Sequence, residues 1–524
     1  MRHVDVIIVG MGPTGATLAG LLGQVGVSVA IFDKLPNLYP LPRALGLDHE
    51  TMRIVQELGI AEQVAPHIAD YRPSEYLGMD GQLIKRLDTM PEPHLLGWAP
   101  NYVFEQPAFE RVLRARLSEL PMVQMHCEAD VLGTGQTEGD AGVGQVWADV
   151  TLAGSTAPVR FTANYLIACD GGSSSIRKRL GIELEDLNFD EPWLVVDAIV
   201  PDEKLADLPQ TQVQYCEAAR PSTFVVGTGN HRRWEVMLLP GDSLSPEYPE
   251  EELWPLLSRW IKPGEARLWR AATYRFHGLV AREWRRGRIL LAGDAAHMTP
   301  PFMAQGMVSG MRDAHNLAWK LTRVIKRESS PALLDTYAEE RHPHVTTTIL
   351  NAMGLGRIIC ERDPARAIER DKALRAAHGG QVKTEYRQNM IPSLKGGILE
   401  KSSMAAGDIL AQPFVVAGQF SGRLDDLTGA RVRVIAIGEL MPQDLEAYTA
   451  LLAPLGGVLV HLNAKTPSHD AIACTEEKPL LAPWLTSRGL CAVIARPDHY
   501  IYGTATTHRD GQQLLVKLRS ALDS

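Results

Sequence analysis

Val4-Asp5-Val6-Ile7-Ile8-Val9-Gly10-Met11-Gly12-Pro13-Thr14-Gly15 is the stretch whose reading decides the fold. Residues 4–9 are short, β-branched and almost wholly apolar, the pattern of a strand buried on both faces of a parallel sheet. The glycine turn follows without a break. A helix is predicted next, because Leu18, Leu21, Leu22 and Val25 recur at spacings of three, four and seven. A second strand, residues 27–32, ends at Asp33 and Lys34. This order of strand, glycine turn, helix, strand and acid is that of a dinucleotide-binding unit. Gly10 allows the tight turn, Gly12 lets the backbone approach a pyrophosphate, and Gly15 lets helix and sheet pack closely. The helix start at Pro13 and Thr14 then presents free N–H groups and the positive end of the helix dipole to the phosphates. Asp33, 18 residues beyond Gly15, is placed to accept hydrogen bonds from an adenosine ribose.

The chain around this unit has 524 residues, more than one hydrophobic core usually serves, so two or three domains are expected. Hydrophobic residues make up 45% and charged residues 22%, which excludes a disordered or fibrous class. A formal charge of -9 argues against an electrostatic grip on nucleic acid or on an anionic membrane. The most apolar run, residues 451–460, is short and broken by Pro454, Gly456 and Gly457, so no membrane span is expected. The first strand leads into a glycine turn and not into a signal-peptide cleavage site. Six cysteines, at 127, 169, 216, 360, 474 and 491, form no CxxC pair; thiols in a reducing cytoplasm are expected. No metal is expected, since His342 and His344 lie two residues apart with no third ligand at a useful spacing.

Two distant motifs sharpen the nucleotide reading. A strand over 165–169 ends in Asp170-Gly171-Gly172-Ser173-Ser174-Ser175-Ile176-Arg177, and a strand over 288–292 ends in Gly293-Asp294-Ala295-Ala296-His297. Each sets an acid and glycines at the C-terminal end of a strand, where open α/β sheets bind ligands. Pro300-Pro301 and Gly306-Met307-Val308-Ser309-Gly310 follow, and a long helix is predicted over 310–326.

Together the three motifs resemble those of the single-component (class A) FAD-dependent aromatic hydroxylases, in particular the phenol hydroxylase and 3-(3-hydroxyphenyl)propionate hydroxylase branch. The resemblance runs almost end to end. It implies that FAD is held by the glycine turn, by Asp33 at the adenosine ribose (where the family usually has Glu), by Asp170 and Gly171, by Gly293 and Asp294 at the ribityl chain, and by Gly306 to Val308 at the flavin ring. Arg43, in Pro42-Arg43-Ala44, and Gln106, in Glu105-Gln106-Pro107, match family positions beside the cofactor. No second GxGxxG is complete, which suits NADH or NADPH as a transient reductant. The resemblance further implies hydroxylation of a small phenolic or heteroaromatic substrate with O2, through a flavin hydroperoxide. Epoxidation, ring cleavage and Baeyer–Villiger insertion on the same scaffold stay open, as does a non-catalytic nucleotide-fold carrier.

The fold expected is α/β: a Rossmann-like FAD-binding domain over 1–74, 101–185 and 281–375, an inserted, mainly antiparallel β substrate domain over 75–100 and 186–280, a linker over 376–412, and a thioredoxin-like C-terminal domain over 413–524. A homodimer is the common symmetric outcome. For the chemistry, a ring must be held against the cofactor with water excluded, and a base would assist loss of a phenolic proton. Pro301 is the candidate for shaping this space, since a proline pair fixes the backbone there. His277 is a candidate base. Tyr102, Tyr215, Trp234, Met303 and Gln305 are candidates for lining the substrate space. Ala304 stands where many relatives carry glycine.

Overall fold

The computed structural model describes residues 2–137, 144–246, 248–377, 379–464 and 470–523. Strand Arg2–Val9 lies between Val29–Phe32 and Val159–Ala168, parallel to both. Val123–His126 continues the sheet beyond the second strand and Ile289–Leu291 beyond Val159–Ala168. Chain order therefore reverses at the first strand, and the glycine turn emerges at this switch point. Val6, Ile7 and Ile8 have no exposed surface, which is why the strand carries apolar residues on both faces. Strands Asp130–Thr137 and Gln145–Thr151 add an antiparallel meander to the sheet.

Helix Pro13–Gln24 is met by a long helix, Gly306–Ile325, which begins four residues before the sequence suggested. The reason lies in Gly310. A Cβ there would stand 2.2 Å from Thr14 Oγ1, so this glycine serves close helix packing and does not break the helix. Gly306, Met307 and Val308 thus form the helix's first turn, and no side chain caps it.

A nine-stranded sheet stands against this body. Leu184–Ile199 and Arg267–Ala281 pair antiparallel along its middle, and His231–Met237, Ser222–Val226 and Gln212–Tyr215 follow in order. The irregular reading of residues 70–100 is corrected in part, because Ser74–Leu77 and Leu83–Asp88 form a hairpin joined to the sheet through Gln212–Tyr215. The expected linker is corrected as well. Within 376–412, Thr384–Tyr386 pairs with Leu83–Asp88, and Arg387 donates to the Met303 carbonyl at 2.7 Å. Its Gly, Ser and Lys content resembles a solvated chain, yet an open sheet edge satisfies its backbone. Helix Glu250–Leu257 covers the outer face of the sheet over a separate apolar cluster.

The C-terminal domain is a seven-stranded sheet. Arg433–Ala436, Val458–Leu462 and Ile472–Glu476 run parallel, Ala492–Ala495 and Ile501–Ala505 antiparallel, with helices Pro442–Leu452 and His508–Asp523 in the thioredoxin-like manner. Cys474 and Cys491 are both free. Buried ion pairs join this domain to the first. Arg53 donates to both Asp425 oxygens at 2.5 and 2.9 Å, and Arg496 to both Glu340 oxygens at 2.8 and 2.7 Å. The tail motif Arg496-Pro497-Asp498 is thus a docking element, with Asp498 also accepting from Asn316 at 2.9 Å. Among the described residues no helix is long and apolar enough to cross a membrane.

Candidate functional site

Three motifs, far apart in sequence, meet at one corner. An ideal Cβ on Gly293 would lie 2.6 Å from Thr14 Oγ1, and one on Gly310 would lie 3.1 Å from the Gly293 Cα, so glycine turn, GD turn and long helix pack backbone to side chain. The DG strand joins them. Gly10 has φ +102°, and a Cβ there would stand 2.1 Å from the Cys169 carbonyl oxygen. Arg177 spans the two acidic motifs by donating to the Ala295 carbonyl at 2.8 Å and the Gly172 carbonyl at 2.9 Å. It ties the motifs together and is buried.

The corner has the shape and donor set for a dinucleotide. A Cβ on Gly12 would meet nothing within 4 Å, so open space lies where a pyrophosphate would approach the backbone. Helix Pro13–Gln24 has no side-chain cap, and its first-turn N–H groups are available to an anion. Asp33 accepts from Met11 N at 3.0 Å and Leu35 N at 2.9 Å, which orients its carboxylate at the end of the second strand; Lys34 beside it is exposed. Asp170 accepts from Ser175 N at 2.8 Å through one oxygen and leaves the other buried without a partner. Asp294 is exposed at this corner. Its carboxyl is raised, by desolvation first and with His297 and Arg43 opposing. These features fit FAD: free N–H donors for phosphates, carboxylate acceptors for ribose and ribityl hydroxyls, and an uncapped second helix at Gly306–Val308 for the ring.

Supporting groups explain the corner's rigidity. Asp313, fully buried, accepts from Gly293 N at 3.0 Å, binds His297 Nε2 at 2.7 Å and accepts from Arg341 Nε at 2.9 Å. His297 is therefore a structural residue. Gln106 is buried; its Oε1 accepts from Arg43 N at 3.0 Å and Ala44 N at 2.6 Å, and its Nε2 donates to Glu110 at 2.7 Å. It holds the Arg43 loop. The Arg43 side chain is exposed and lies 4.4 Å over the Tyr39 ring.

Pro301 opens a 3-10 turn, Pro301–Met303, and Ala304 closes it in the left-handed region at φ 53°. That conformation costs a residue with a Cβ on the order of 1 kcal/mol. Phe302 projects from this turn onto the sheet, edge-on to Trp193 at 6.0 Å and to Phe276 at 5.8 Å. At the far end of the same sheet face, Arg233 donates to the Arg43 carbonyl at 2.8 Å, and Arg270 donates to the Pro42 carbonyl. The inner sheet face is thereby fixed against the corner at both ends.

Alternation along the strands decides which side chains look inward. Trp193, Val195, Asp197, Arg233, Glu235, Met237, Ala272 and Tyr274 share the inner face by register. The candidates Tyr215 and Trp234 have the opposite parity and pack in the outer cluster under helix Glu250–Leu257. His277 also points outward; its Nδ1 lies 3.3 Å from Asp190, and it does not converge with Pro301. Tyr102 faces the C-terminal domain side, its hydroxyl accepting from Ala99 N at 2.8 Å. Met303 and Gln305 are buried behind the turn, near Asp48, Asn101 and Gln388, and Gln305 accepts from Arg312 at 2.7 Å. Of the residues expected at the substrate space, Pro301 opens the turn whose Phe302 meets the inner sheet face. Phe302, Trp193, Val195, Glu235 and Ala272 went unnoticed, since strands buried on both faces carry no polar alternation to mark the inner one.

Among the described residues one group has metal-like spacing, Glu57, His315 and His499, with ligand atoms within 4.8 Å of one another at the domain junction. His499 Nδ1 meets Arg433 Nη2 at 2.7 Å and must accept there, which leaves its Nε2 protonated. The group is a hydrogen-bonded junction.

Comparison with known proteins agrees with the geometry. The FAD binding domain family matches residues 3–352, and the HcaD C-terminal domain family matches residues 407–521. A probable NADH-specific resorcinol 4-hydroxylase of Rhodococcus jostii is 35% identical over 98% of this chain and 93% of its own length. A 3-(3-hydroxy-phenyl)propionate/3-hydroxycinnamic acid hydroxylase of Burkholderia vietnamiensis is 31% identical over 95% of this chain and 93% of its own. In fold, the flavin-dependent monooxygenase PieE, solved with FAD and substrate, superposes with a TM-score of 0.80 at 20% identity, covering 99% of both chains. Aklavinone-11 hydroxylase, solved with FAD and aklavinone, gives 0.79 at 20% identity, again over 99% of both chains. The chain belongs to the FAD-dependent aromatic hydroxylases, the single-component flavin monooxygenases with a Rossmann-like FAD domain.

Proposed function

We propose that this enzyme hydroxylates a small phenol carrying a second substituent meta to its hydroxyl, with a nicotinamide as reductant and O2 as oxidant. The observation that carries this is the packing of Thr14, Gly293 and Gly310 at one corner, with the inner face of the nine-stranded sheet held across from it. Resorcinol and 3-(3-hydroxyphenyl)propionate, the substrates in the relatives' names, are both meta-substituted phenols, and the first relative's name makes NADH the reductant to try first.

FAD held at this corner would supply the acceptance of hydride from the nicotinamide and the transfer of one oxygen atom of O2. The chain's own residues do the rest. The N–H groups of the Pro13–Gln24 first turn would meet the pyrophosphate, Asp33 and Asp294 would accept from the sugar hydroxyls, and the Gly306–Val308 N–H groups would hold the flavin ring. Pro301 and Phe302 close one end of the gap and exclude water, and the Pro42–Arg43 loop, clamped by Arg233 and Arg270, closes the other. In this reading 75–100 and 186–280 form the substrate-binding unit and the remainder of 1–375 holds the cofactor. A homodimer and a cytoplasmic setting complete it, the latter favoured by six unpaired cysteines.

The test is a screen of phenols for ligands that perturb the bound flavin spectrum and accelerate NADH consumption, followed by turnover under labelled O2. A product one labelled oxygen heavier is expected. Products without the label from every accelerating phenol refute hydroxylation.

A further inference from the structure

The inner face of the sheet is laid out in rows. One row, Tyr274, Trp193 and Met237, is capped by Phe302. Another, Arg270, Asp197 and Arg233, is capped by the Pro42–Arg43 loop. The row between them is Ala272, Val195, Glu235 and Thr223, about 7 Å from each capped row because it is two residues along the strands. Glu235 is its one ionisable side chain.

Glu235 is 8% exposed, its carboxylate has no hydrogen bond among the described residues, and its oxygens are not fully enclosed. Its nearest cation is Arg233, 3.9 Å away through Nη1. That guanidinium is committed elsewhere, with Nε and Nη2 on the Asp197 oxygens at 2.7 and 3.0 Å and Nη1 on the Arg43 carbonyl at 2.8 Å. Thr223, beside Glu235 in register, donates its hydroxyl to Gln214 at 2.7 Å. A carboxylate that is mostly shielded, lacks a protein donor and keeps its oxygens open is placed to accept a hydrogen bond from a ligand. Burial, opposed by Arg233 and assisted by Asp197, raises this carboxyl above its ordinary range.

We propose that Glu235 receives the ring hydroxyl of a phenol and takes its proton as the ring is attacked; the assignment rests on the hydroxylation reading above. The phenolic O–H bond breaks, an O–H bond forms on the Glu235 carboxylate, and the electron pair stays on the ring oxygen. That pair raises electron density at the ortho and para carbons, where the electrophilic oxygen supplied by the enzyme's own reaction is received. Arg270, turned over the Tyr274 ring at 4.6 Å, donates to the Pro42 carbonyl and keeps its Nε without a partner, so a cation also remains on this face of the sheet.

The experiment compares wild type, Glu235→Gln and Glu235→Asp as FAD-loaded proteins, with melting temperature and flavin content measured as checks on folding. Anaerobic calorimetric titration with resorcinol reads the hydrogen bond without turnover. The Kd is expected to rise about tenfold in Glu235→Gln and to recover in part in Glu235→Asp. With turnover, hydroxylated product is expected to fall roughly 100-fold in Glu235→Gln, and the acid limb of its kcat/KM profile to disappear. An unchanged resorcinol Kd in Glu235→Gln overturns the assignment. Absence of hydroxylated product from wild type with both resorcinol and 3-(3-hydroxyphenyl)propionate overturns the hydroxylation reading instead, while the titration still judges Glu235.

Discussion

Removal of the Arg496 guanidinium, by Arg496→Met, is the sharpest test of how the C-terminal domain is held. Arg496 is fully buried and donates to Glu340 at 2.8 and 2.7 Å, to Asp498 at 2.9 and 2.5 Å and to the Ile398 carbonyl at 3.1 Å. With Lys320, whose Nζ lies 2.8 Å from Glu340, the cluster holds two cations and two anions and is neutral. The variant leaves two buried carboxylates facing one lysine, and burial already draws that lysine down to about 8. Stranding one buried charge costs about 3–5 kcal/mol. For a cooperative unit of the size that undocks, this corresponds to a melting temperature lower by roughly 6–20 °C. Thermal melts followed by circular dichroism, with flavin fluorescence in parallel, measure it. Lys320→Met should cost less, because it removes a cation whose charge burial already opposes. A melting temperature for Arg496→Met within about 2 °C of wild type would mean under about 1 kcal/mol and would refute the docking role.

Four further outcomes are expected. Gly12→Ala should leave the apoprotein's melting temperature unchanged, since its Cβ meets no protein atom within 4 Å, yet sharply weaken FAD binding; flavin content after gel filtration measures this, and full retention contradicts the cradle. Asp294→Ala should likewise shed FAD, and full occupancy in that variant removes its ribityl role. Trp234→Phe should leave the Kd for resorcinol within about twofold, because this residue packs in the outer layer; a larger change would place it in the gap. Burial opposes ionisation of Glu340 and Glu50, but Arg496 and Lys320 on the one and Arg312 on the other outweigh it and hold both carboxyls at about 2. Their folded values are depressed, so their stabilisation is full above the unfolded value of about 4.5 and is lost as pH falls toward 2. Acid titration of the melting temperature should fall through that window, and a flat profile counts against the network.

Much of the cofactor corner was legible because it is built from local rules. A strand buried on both faces must be apolar throughout, a backbone that approaches a phosphate must be glycine, and both marks lie in a dozen consecutive residues. The GD and DG turns carry the same kind of mark, an acid and glycines at a strand end. Gly310 shows the limit of such rules: inside a helix it resembles a break, and only the position of Thr14 explains it.

The substrate side was far less legible. Tyr215 and Trp234 are aromatic residues in strands, as a ring-lining residue would be, but parity alone does not say which face meets the flavin when helix Glu250–Leu257 covers the other. The pairing of Thr384–Tyr386 within 376–412 was not legible because composition describes side chains, whereas the free edge at Leu83–Asp88 offered backbone hydrogen bonds. The one-dimensional order of residues determined that the chain is built for a dinucleotide cofactor, since the marks of a glycine turn are set by neighbours in sequence. Which acid of the inner sheet face is paired was decided only when Arg233 closed on Asp197 and stayed 3.9 Å from Glu235, for long-range pairing of charges depends on distances the chain acquires by folding.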